Sequence, residues 1–377
     1  MMQRPSSDGS NLYFPKDASD GSNLYLSKDI DQSKEDVVFS DLYEEEQTYT
    51  VNQDMKKFME YQEAGLDHGY KCPKCRGCIN CRRGMGQEKI SMKQEAEQEK
   101  IRESVVLDED QNKAVVKLAF IADPALNLKP NRFIALKRLD NLCRKYSKET
   151  KTVQMICDKL AKLHRTGHIK YWEDLSLPEK KSISEAPTNH YLCWDVGFKE
   201  ASLSTPARPV FDASAGTPGG TSLNDILAKG ITTLARLVEV QLVWAMGKYA
   251  LSGDVSQAYN AMQLSVQHWA YQRVLLKENL DVNSDVIEAV IVSAIYGVRC
   301  SGGQLEVLCE LLAERCEAEF PRVAEFLRKF RYVDDFTKSV DSLQDIKTLI
   351  DDTENVLQTA SLEVKAWAYT GKDPPEK

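Results

Sequence analysis

Apolar positions between Asn112 and Asp174 recur at helical spacing: Phe133, Leu136, Leu139 and Leu142 in one run, Val153, Ile156, Leu160 and Leu163 in the next. Side chains three and four residues apart share one face of a helix, so this period predicts at least two amphipathic helices, the first opened by Pro130 and Asn131. Upstream, Gln87 to Glu103 is rich in Glu, Lys, Gln and Met and reads as a charged, solvated helix. Beyond Tyr191 the texture changes. Short β-like runs, Arg208 to Phe211, Tyr249 to Leu251, Tyr271 to Leu276 and Lys329 to Val333, are separated by helical stretches such as Ile231 to Trp244 and Gln304 to Ala318. That alternation predicts an α+β fold. Residues 1–66 show neither period; their Ser, Asp, Gly and Glu content buries too little apolar surface to offset chain entropy, and disorder is expected there. The chain is thereby divided into an acidic leader (1–66), a cysteine-rich basic module (67–86), a helical linker or N-terminal region (87–190), an α+β region (191–369) and a tail (370–377).

Composition changes this picture in three places. Six basic and fourteen acidic side chains in residues 1–66 account for the whole net charge of −8, so residues 67–377 sum to zero. The acidic average therefore does not exclude a nucleic-acid partner, which needs a local positive channel rather than a basic mean. The leader also carries a duplication, Ser7 to Tyr13 and Ser19 to Tyr25, too few copies for a solenoid. Met1 to Ser10 is polar, without the charged start and apolar run of a signal peptide, and no apolar stretch approaches the ~20 residues of a membrane helix. The expectation is a soluble, intracellular protein, cytoplasmic or nuclear, with no membrane partner. Ten cysteines are spread thinly apart from one cluster, which suits reduced thiols plus a metal site rather than a disulfide scaffold.

Candidate chemistry concentrates in two acidic segments. Phe330-Arg-Tyr332-Val-Asp334-Asp335-Phe336 reads as a hairpin with two carboxylates at its turn, and Tyr249-Ala-Leu-Ser-Gly-Asp254-Val-Ser-Gln-Ala-Tyr259 as a second strand ending on an acid, eighty residues upstream of Asp334. Adjacent aspartates repel one another unless a cation shares them, and hard oxygen ligands suit Mg²⁺ or Mn²⁺. Two strand-end acids from separate segments are what two-metal phosphoryl transfer requires.

These segments resemble palm motifs of reverse transcriptases, Asp254 to Tyr259 the first acid motif and Tyr332-Val-Asp-Asp335 the Tyr-x-Asp-Asp hairpin. Ser204-Thr-Pro-Ala-Arg208-Pro-Val-Phe-Asp212-Ala-Ser214, continuing through Gly219 to Gly230, is similar to the fingers segment of BEL/Pao long-terminal-repeat retrotransposons. Trp269 to Leu276, Ile295-Tyr-Gly297-Val-Arg-Cys-Ser301 and Leu362-Glu-Val-Lys365-Ala-Trp367 match further palm segments, so the resemblance covers about half the chain, from Tyr191 to Tyr369. It implies right-hand polymerase fingers and palm, an antiparallel palm sheet packed on helices, without a thumb, in an excerpt or degenerate copy of a longer polyprotein. The implied activity is RNA-directed DNA synthesis on RNA and DNA template-primer from dNTPs, with other retroelement polyprotein domains as partners. Asp254 and Asp334 would hold the metal, with Asp335 as supporting acid. Arg208 would contact nucleotide phosphate, Tyr259 would crowd a 2′-hydroxyl, and Gly297 would let the backbone approach nucleotide and template. Tyr332 would complete the nucleotide and template contacts, and Lys365 would supply a proton to pyrophosphate or simply sit on a strand edge. Trp269 and Gln272 are taken as packing. After Gly297 the sequence lacks the Ser-Pro pair common in the template-grip motif. The other reading of the same residues is a catalytically inactive, retroelement-derived nucleic-acid-binding protein or truncated relic.

Cys72, Cys75, Cys78 and Cys81 stand at uniform Cys-x-x-Cys spacing among Lys71, Lys74, Arg76, Arg82 and Arg83. Four abutting thiols could hold Zn²⁺ in a tight wrap, could carry an iron–sulfur cluster, or could stay unmetallated. With zinc the loop would present positive charge to phosphates, as nucleic-acid-binding knuckles do. Cys143, Cys157, Cys193, Cys300, Cys309 and Cys316 lie among apolar neighbours and are expected in the core.

Overall fold

Small antiparallel sheets and the helices packed on them form an α+β architecture, in a computed structural model that describes residues 92–198, 207–231 and 237–371. The leader, the module with Cys72, Cys75, Cys78 and Cys81, the start of the charged helix and the end of the tail lie outside the described residues.

Helix α1 (Met92–Glu103) is anchored on one face rather than solvated all round. Ile101 is fully buried, Glu97 accepts from the Lys229 amide at 2.8 Å, and Gln98 accepts from Ile231 at 3.0 Å. Strands β1 (Val105–Asp108) and β2 (Lys113–Val116) follow as an antiparallel hairpin. The helical reading of this stretch missed them, because four-residue runs are too short to register against a helical period.

Helix α2 (Arg132–Tyr146) forms as expected, but its buried face is Ala135, Leu139, Leu142, Cys143 and Tyr146, while Phe133 is 77% exposed. The reason is angular: residues 133 and 142 are nine apart, which at ~100° per residue places them on opposite sides, whereas 135, 139, 142 and 146 keep one azimuth. Helix α3 (Thr150–Arg165) buries Ile156, Leu160 and Leu163, three of its four expected positions, with Thr152 in place of Val153.

Next come β3 (Ile169–Tyr171), helix α4 (Leu177–Ser184), and the two-stranded ladder of β4 (Cys193–Phe198) and β5 (Ala207–Asp212). Helix α5 covers Leu237–Trp244 and leads into β6 (Tyr249–Val255). Strand β7 (Gln263–Leu264) pairs parallel to β2, and β8 (Arg273–Lys277) pairs with β9 (Val286–Ile291), which in turn pairs with β3. The remaining elements are α6 (Ser301–Cys316), α7 (Pro321–Lys329), β10 (Arg331–Tyr332), β11 (Asp335–Val340), α8 (Leu343–Gln358) and β12 (Val364–Tyr369).

The sheet that matters for chemistry runs β10-β11-β6-β12, all antiparallel. Period-two alternation along β6 buries Leu251 and Val255 and leaves Asp254 exposed. The buried face packs on α7 and α8 through Phe326, Phe336 and Trp367, whose ring centroids lie 5.0 to 6.4 Å apart. A Cβ on Gly253 would lie 2.5 Å from the Trp367 ring, so only glycine lets the indole cover β6 at that point. Buried side chains from Ile101 to Trp367 join one hydrophobic cluster, with residues from both sides of Tyr191. Trp269, Gln272 and five of the six expected cysteines are buried in it; Cys157 is half-exposed.

Candidate active site

The register of β11 on β6 sets Asp335 directly opposite Asp254. Opposed residues of an antiparallel pair lie on one face with Cβ atoms ~5 Å apart, so these two carboxylates face the same space, where like charges are destabilising unless something positive joins them. Asp334 is one residue further round the turn, and its carbonyl accepts from the Val255 amide at 3.0 Å, just past Asp254. All three expected acids therefore meet at one end of one sheet. Among the described residues no group of three or more Asp, Glu, His or Cys side chains is placed to hold a metal ion, so the three acids are not gathered as one ligand set. An opposed pair of hard carboxylates nevertheless fits Mg²⁺ or Mn²⁺, because such ions are commonly held by one or two carboxylates and complete their shell with water and substrate phosphates.

The turn itself is strained. Only Val333 and Asp334 separate β10 from β11, and Val333 has φ +58°, a conformation that β-branched residues rarely adopt and that costs roughly 1–3 kcal/mol. Arg331 holds it. This side chain is 7% exposed; its Nη1 donates to the Val333 carbonyl at 2.7 Å and to Glu306 Oε1 at 2.7 Å, Nη2 donates to Glu306 Oε2 at 2.9 Å, and Nε donates to the Leu327 carbonyl at 3.3 Å.

Tyr259 lies in the single helical turn Ala258–Ala261, reached through Gln257 at φ +48°. Burial, then the neighbouring Asp334 charge, pushes its hydroxyl up to about 12, so the ring stands beside the acids and remains protonated. Its ring meets Tyr296 edge-on at 6.1 Å, and Tyr296 is 77% exposed. The next residue, Gly297, has φ +99°, and a Cβ there would come within 2.7 Å of the Phe211 carbonyl. What approaches Gly297 in this structure is the backbone of β5; Asn224 Nδ2 donates to the Gly297 carbonyl at 2.9 Å, and Asn224 Oδ1 accepts from the Arg299 amide at 2.8 Å.

Arg208 is exposed on β5, and Lys365 is exposed on β12. Lys365 sits where the β12–β6 register shifts, between Val364 opposite Val255 and Ala366 opposite Asp254, so it is carried beside the first acid. The two cations share a neighbour that the motif spacing did not single out, Lys159 on α3, which also feels Lys162. Burial, followed by the charges of Lys162, Arg208 and Lys365, lowers the Lys159 ammonium below its usual range; every charge named as acting on it is positive. Desolvation, then Lys159, likewise lowers His168. Through Lys365 this group of cations adjoins the carboxylates. Tyr332, half-buried at the end of β10, faces Asp335 across the hairpin.

Arg331, Glu306, Tyr296 and Lys159 were not identified from the sequence. Arg331 could have been, because a charged residue inside an apolar strand one position before a strained turn needs a partner.

Among solved structures, a foamy viral protease-reverse transcriptase in complex with an RNA/DNA hybrid is similar at 13% sequence identity and a TM-score of 0.38, over 55% of this chain. The alignment spans 23% of the length of that protein. No family model and no curated protein matches the chain.

Proposed function

We propose that this protein is the polymerase core of a retroelement reverse transcriptase, an RNA-directed DNA polymerase that adds dNTPs to a primer 3′-hydroxyl. The observation that carries the reading is the pairing of Asp335 with Asp254, with Asp334 tethered to Val255 beside them. Two sequence segments eighty residues apart, each matching a polymerase acid motif, are brought to one sheet end with their acids on one face.

On this reading, β6, β10, β11 and β12 are the palm sheet and the β4–β5 ladder with α2 and α3 belongs to the fingers. Bound at the acids, Mg²⁺ or Mn²⁺ would supply activation of the attacking hydroxyl and neutralisation of the leaving pyrophosphate. The chain's own residues do the rest. Asp254 and Asp334 would hold the ions, with Asp335 adding negative charge. Arg208 and Lys365 take the phosphates of the incoming nucleotide, a guanidinium being suited to bidentate contact with phosphate oxygens. Tyr259, half-buried and uncharged, stands where its ring would crowd a 2′-hydroxyl, and Gly297 and Tyr332 flank the nucleotide and template. The string from Ser204 to Gly230 supports a BEL/Pao-type long-terminal-repeat element, with other polyprotein domains as partners and an intracellular setting. Zinc at Cys72, Cys75, Cys78 and Cys81 would add a basic contact to RNA or DNA. Among the described residues no helix is long and apolar enough to cross a membrane.

The test is Mg²⁺-dependent extension of a labelled primer on RNA and DNA templates. Extension that disappears in Asp334→Asn supports the reading. Extension indifferent to Asp334→Asn overturns it, and salt-sensitive RNA binding without any extension favours the non-catalytic alternative.

A further inference from the structure

The Tyr332-to-Asp335 turn sets a β-branched residue at positive φ, and it carries Asp334. A two-residue hairpin loop with a positive φ is ordinarily filled by Gly, Asn or Asp, and here it is filled by Val333. Left to itself, such a turn would relax by rotating the Val333–Asp334 peptide, and the Asp334 carboxylate would swing with it. Two contacts prevent that rotation. The Val333 carbonyl is held by Arg331 Nη1 and the next carbonyl, that of Asp334, by the Val255 amide. Successive carbonyls pinned from opposite sides leave Asp334 little rotational freedom.

The second contact is an ordinary sheet-edge hydrogen bond, but the first is built from a buried ion pair. Both outer nitrogens of Arg331 are engaged by Glu306, whose side chain is 13% exposed, so the fork cannot rotate away from the turn without stranding a buried carboxylate. Glu306 lies on α6, one turn after Ser301, and that helix starts just beyond Gly297 and Tyr296. Gln304, two residues before Glu306, fixes α6 to Ser104 Oγ at 2.9 Å and to the Lys117 carbonyl at 2.6 Å. The helix that follows the Tyr296–Gly297 segment thus carries the anchor of the acidic turn in its second turn. We infer that Arg331 and Glu306 form a positioning clamp that holds the strained Val333 peptide and thereby fixes the Asp334 carboxylate against Asp254 for metal binding. This rests on the polymerase reading for the role of Asp334, while the clamp is a feature of this chain's own packing.

The closing experiment is metal binding, read separately from turnover. Mn²⁺ uptake by the purified full chain is followed by electron paramagnetic resonance for wild type, Arg331→Lys, Glu306→Gln and Asp334→Asn, with thermal melting on each. Lysine keeps the charge but cannot reach Glu306 and the Val333 carbonyl together; glutamine keeps the volume of Glu306 and removes its charge. The clamp predicts that Asp334→Asn loses the bound Mn²⁺, and that at least one clamp variant melts cooperatively yet binds Mn²⁺ tenfold or more weakly. In primer extension that variant would recover rate at raised Mn²⁺, with its nucleotide KM within about twofold of wild type. Folded clamp variants that bind Mn²⁺ as wild type overturn the inference while Asp334→Asn still defines the site. If neither clamp variant folds, the pair is a folding element and the inference is likewise overturned. If Asp334→Asn itself binds Mn²⁺ as wild type, the metal-site reading fails first and the clamp falls with it.

Discussion

The carboxylate end of the β10-β11-β6-β12 sheet and the cation patch beside it are held by opposite means. The acids are spaced by backbone hydrogen bonding: once β11 pairs with β6, the separation of Asp335 from Asp254 is a property of the ladder, and a slip of β11 by one residue would turn Asp335 toward the core. The cations come from three separate elements, Lys159 and Lys162 on α3, Arg208 on β5 and Lys365 at the β12 irregularity, and their closeness depends on how a helix packs against two strands that belong to different sheets. Beside the acids, the Arg331 charge is met by Glu306, so that pair is neutral. Around Lys159, every named charge repels. Like charges thus stand together in two adjacent places; on the proposed reading, metal ions would occupy the negative one and phosphate oxygens the positive one.

The comparison breaks hardest at the acids. Asp254→Asn should leave the ladder intact, since the side chain is exposed, and lower primer extension by on the order of 10³-fold, as expected when a group stabilising developing charge is neutralised. The reverse pattern should appear behind the sheet. Phe336→Ala removes a fully buried ring packed on Phe326 and Trp367 and should cost about 3–5 kcal/mol of unfolding free energy in a denaturant titration. If Phe336→Ala melted like wild type, the register that brings Asp335 to Asp254 would not be set by this packing.

That asymmetry also explains what could be read from the sequence. A strand that ends on an acid and a hairpin with two acids are local patterns, so the strand ends that carry Asp254, Asp334 and Asp335 were legible, while the roles of these residues and of Tyr259 and Gly297 belong to the proposed reading. The helices α2 and α3 were legible too, although Phe133 was assigned to the wrong face because a spacing of strictly three residues drifts around a 3.6-residue helix. Lys159 was not legible. On α3 it is one of several lysines between apolar positions, and nothing local separates it from Lys151 or Lys162; its partial burial and its neighbours Arg208 and Lys365 exist only after α3 meets β5 and β12. Strands β1, β2 and β9 escaped for a related reason, their identity coming from partners distant in sequence.

A milder break comes from pH, acting on the scaffold and not on either charged region. His190 is 2% exposed, neither ring nitrogen meets a hydrogen-bond partner among the described residues, and burial lowers its pKa to about 4. His268 Nδ1 accepts from the Leu118 amide at 2.7 Å, and burial followed by Lys117 lowers it to about 4 as well. Both are neutral when folded, whereas in the unfolded chain they take up protons near pH 6.5. Their contribution is therefore fully present above about 6.5 and is lost as pH falls from there toward 4, amounting to about 3 kcal/mol for the fully buried His190 at the acid end. Unfolding titrations at pH 7 and pH 5 should show about 2 kcal/mol of that loss, and His190→Gln should flatten it. A slope unchanged in His190→Gln would mean that other groups govern the acid limb.

The smallest expected effect is the most discriminating for the cation patch. Lys159→Met keeps the stem that packs on α3 and removes a charge that is desolvated and repelled by Lys162, Arg208 and Lys365, so the fold should melt at or slightly above the wild-type temperature. If the patch receives the phosphates of an incoming nucleotide, the same substitution should weaken nucleotide binding by roughly tenfold, the value of one charge-assisted hydrogen bond of about 1.5 kcal/mol. Because that contact is made before and during the reaction alike, the loss should fall on KM with kcat within about twofold of wild type. Arg208→Met should show the same direction, and the double variant should lose less than the product of the two, since each cation in the patch raises the cost of holding the other. A stabilised Lys159→Met with wild-type KM would separate the two regions for good, leaving the acids as a site and the cations as a consequence of packing.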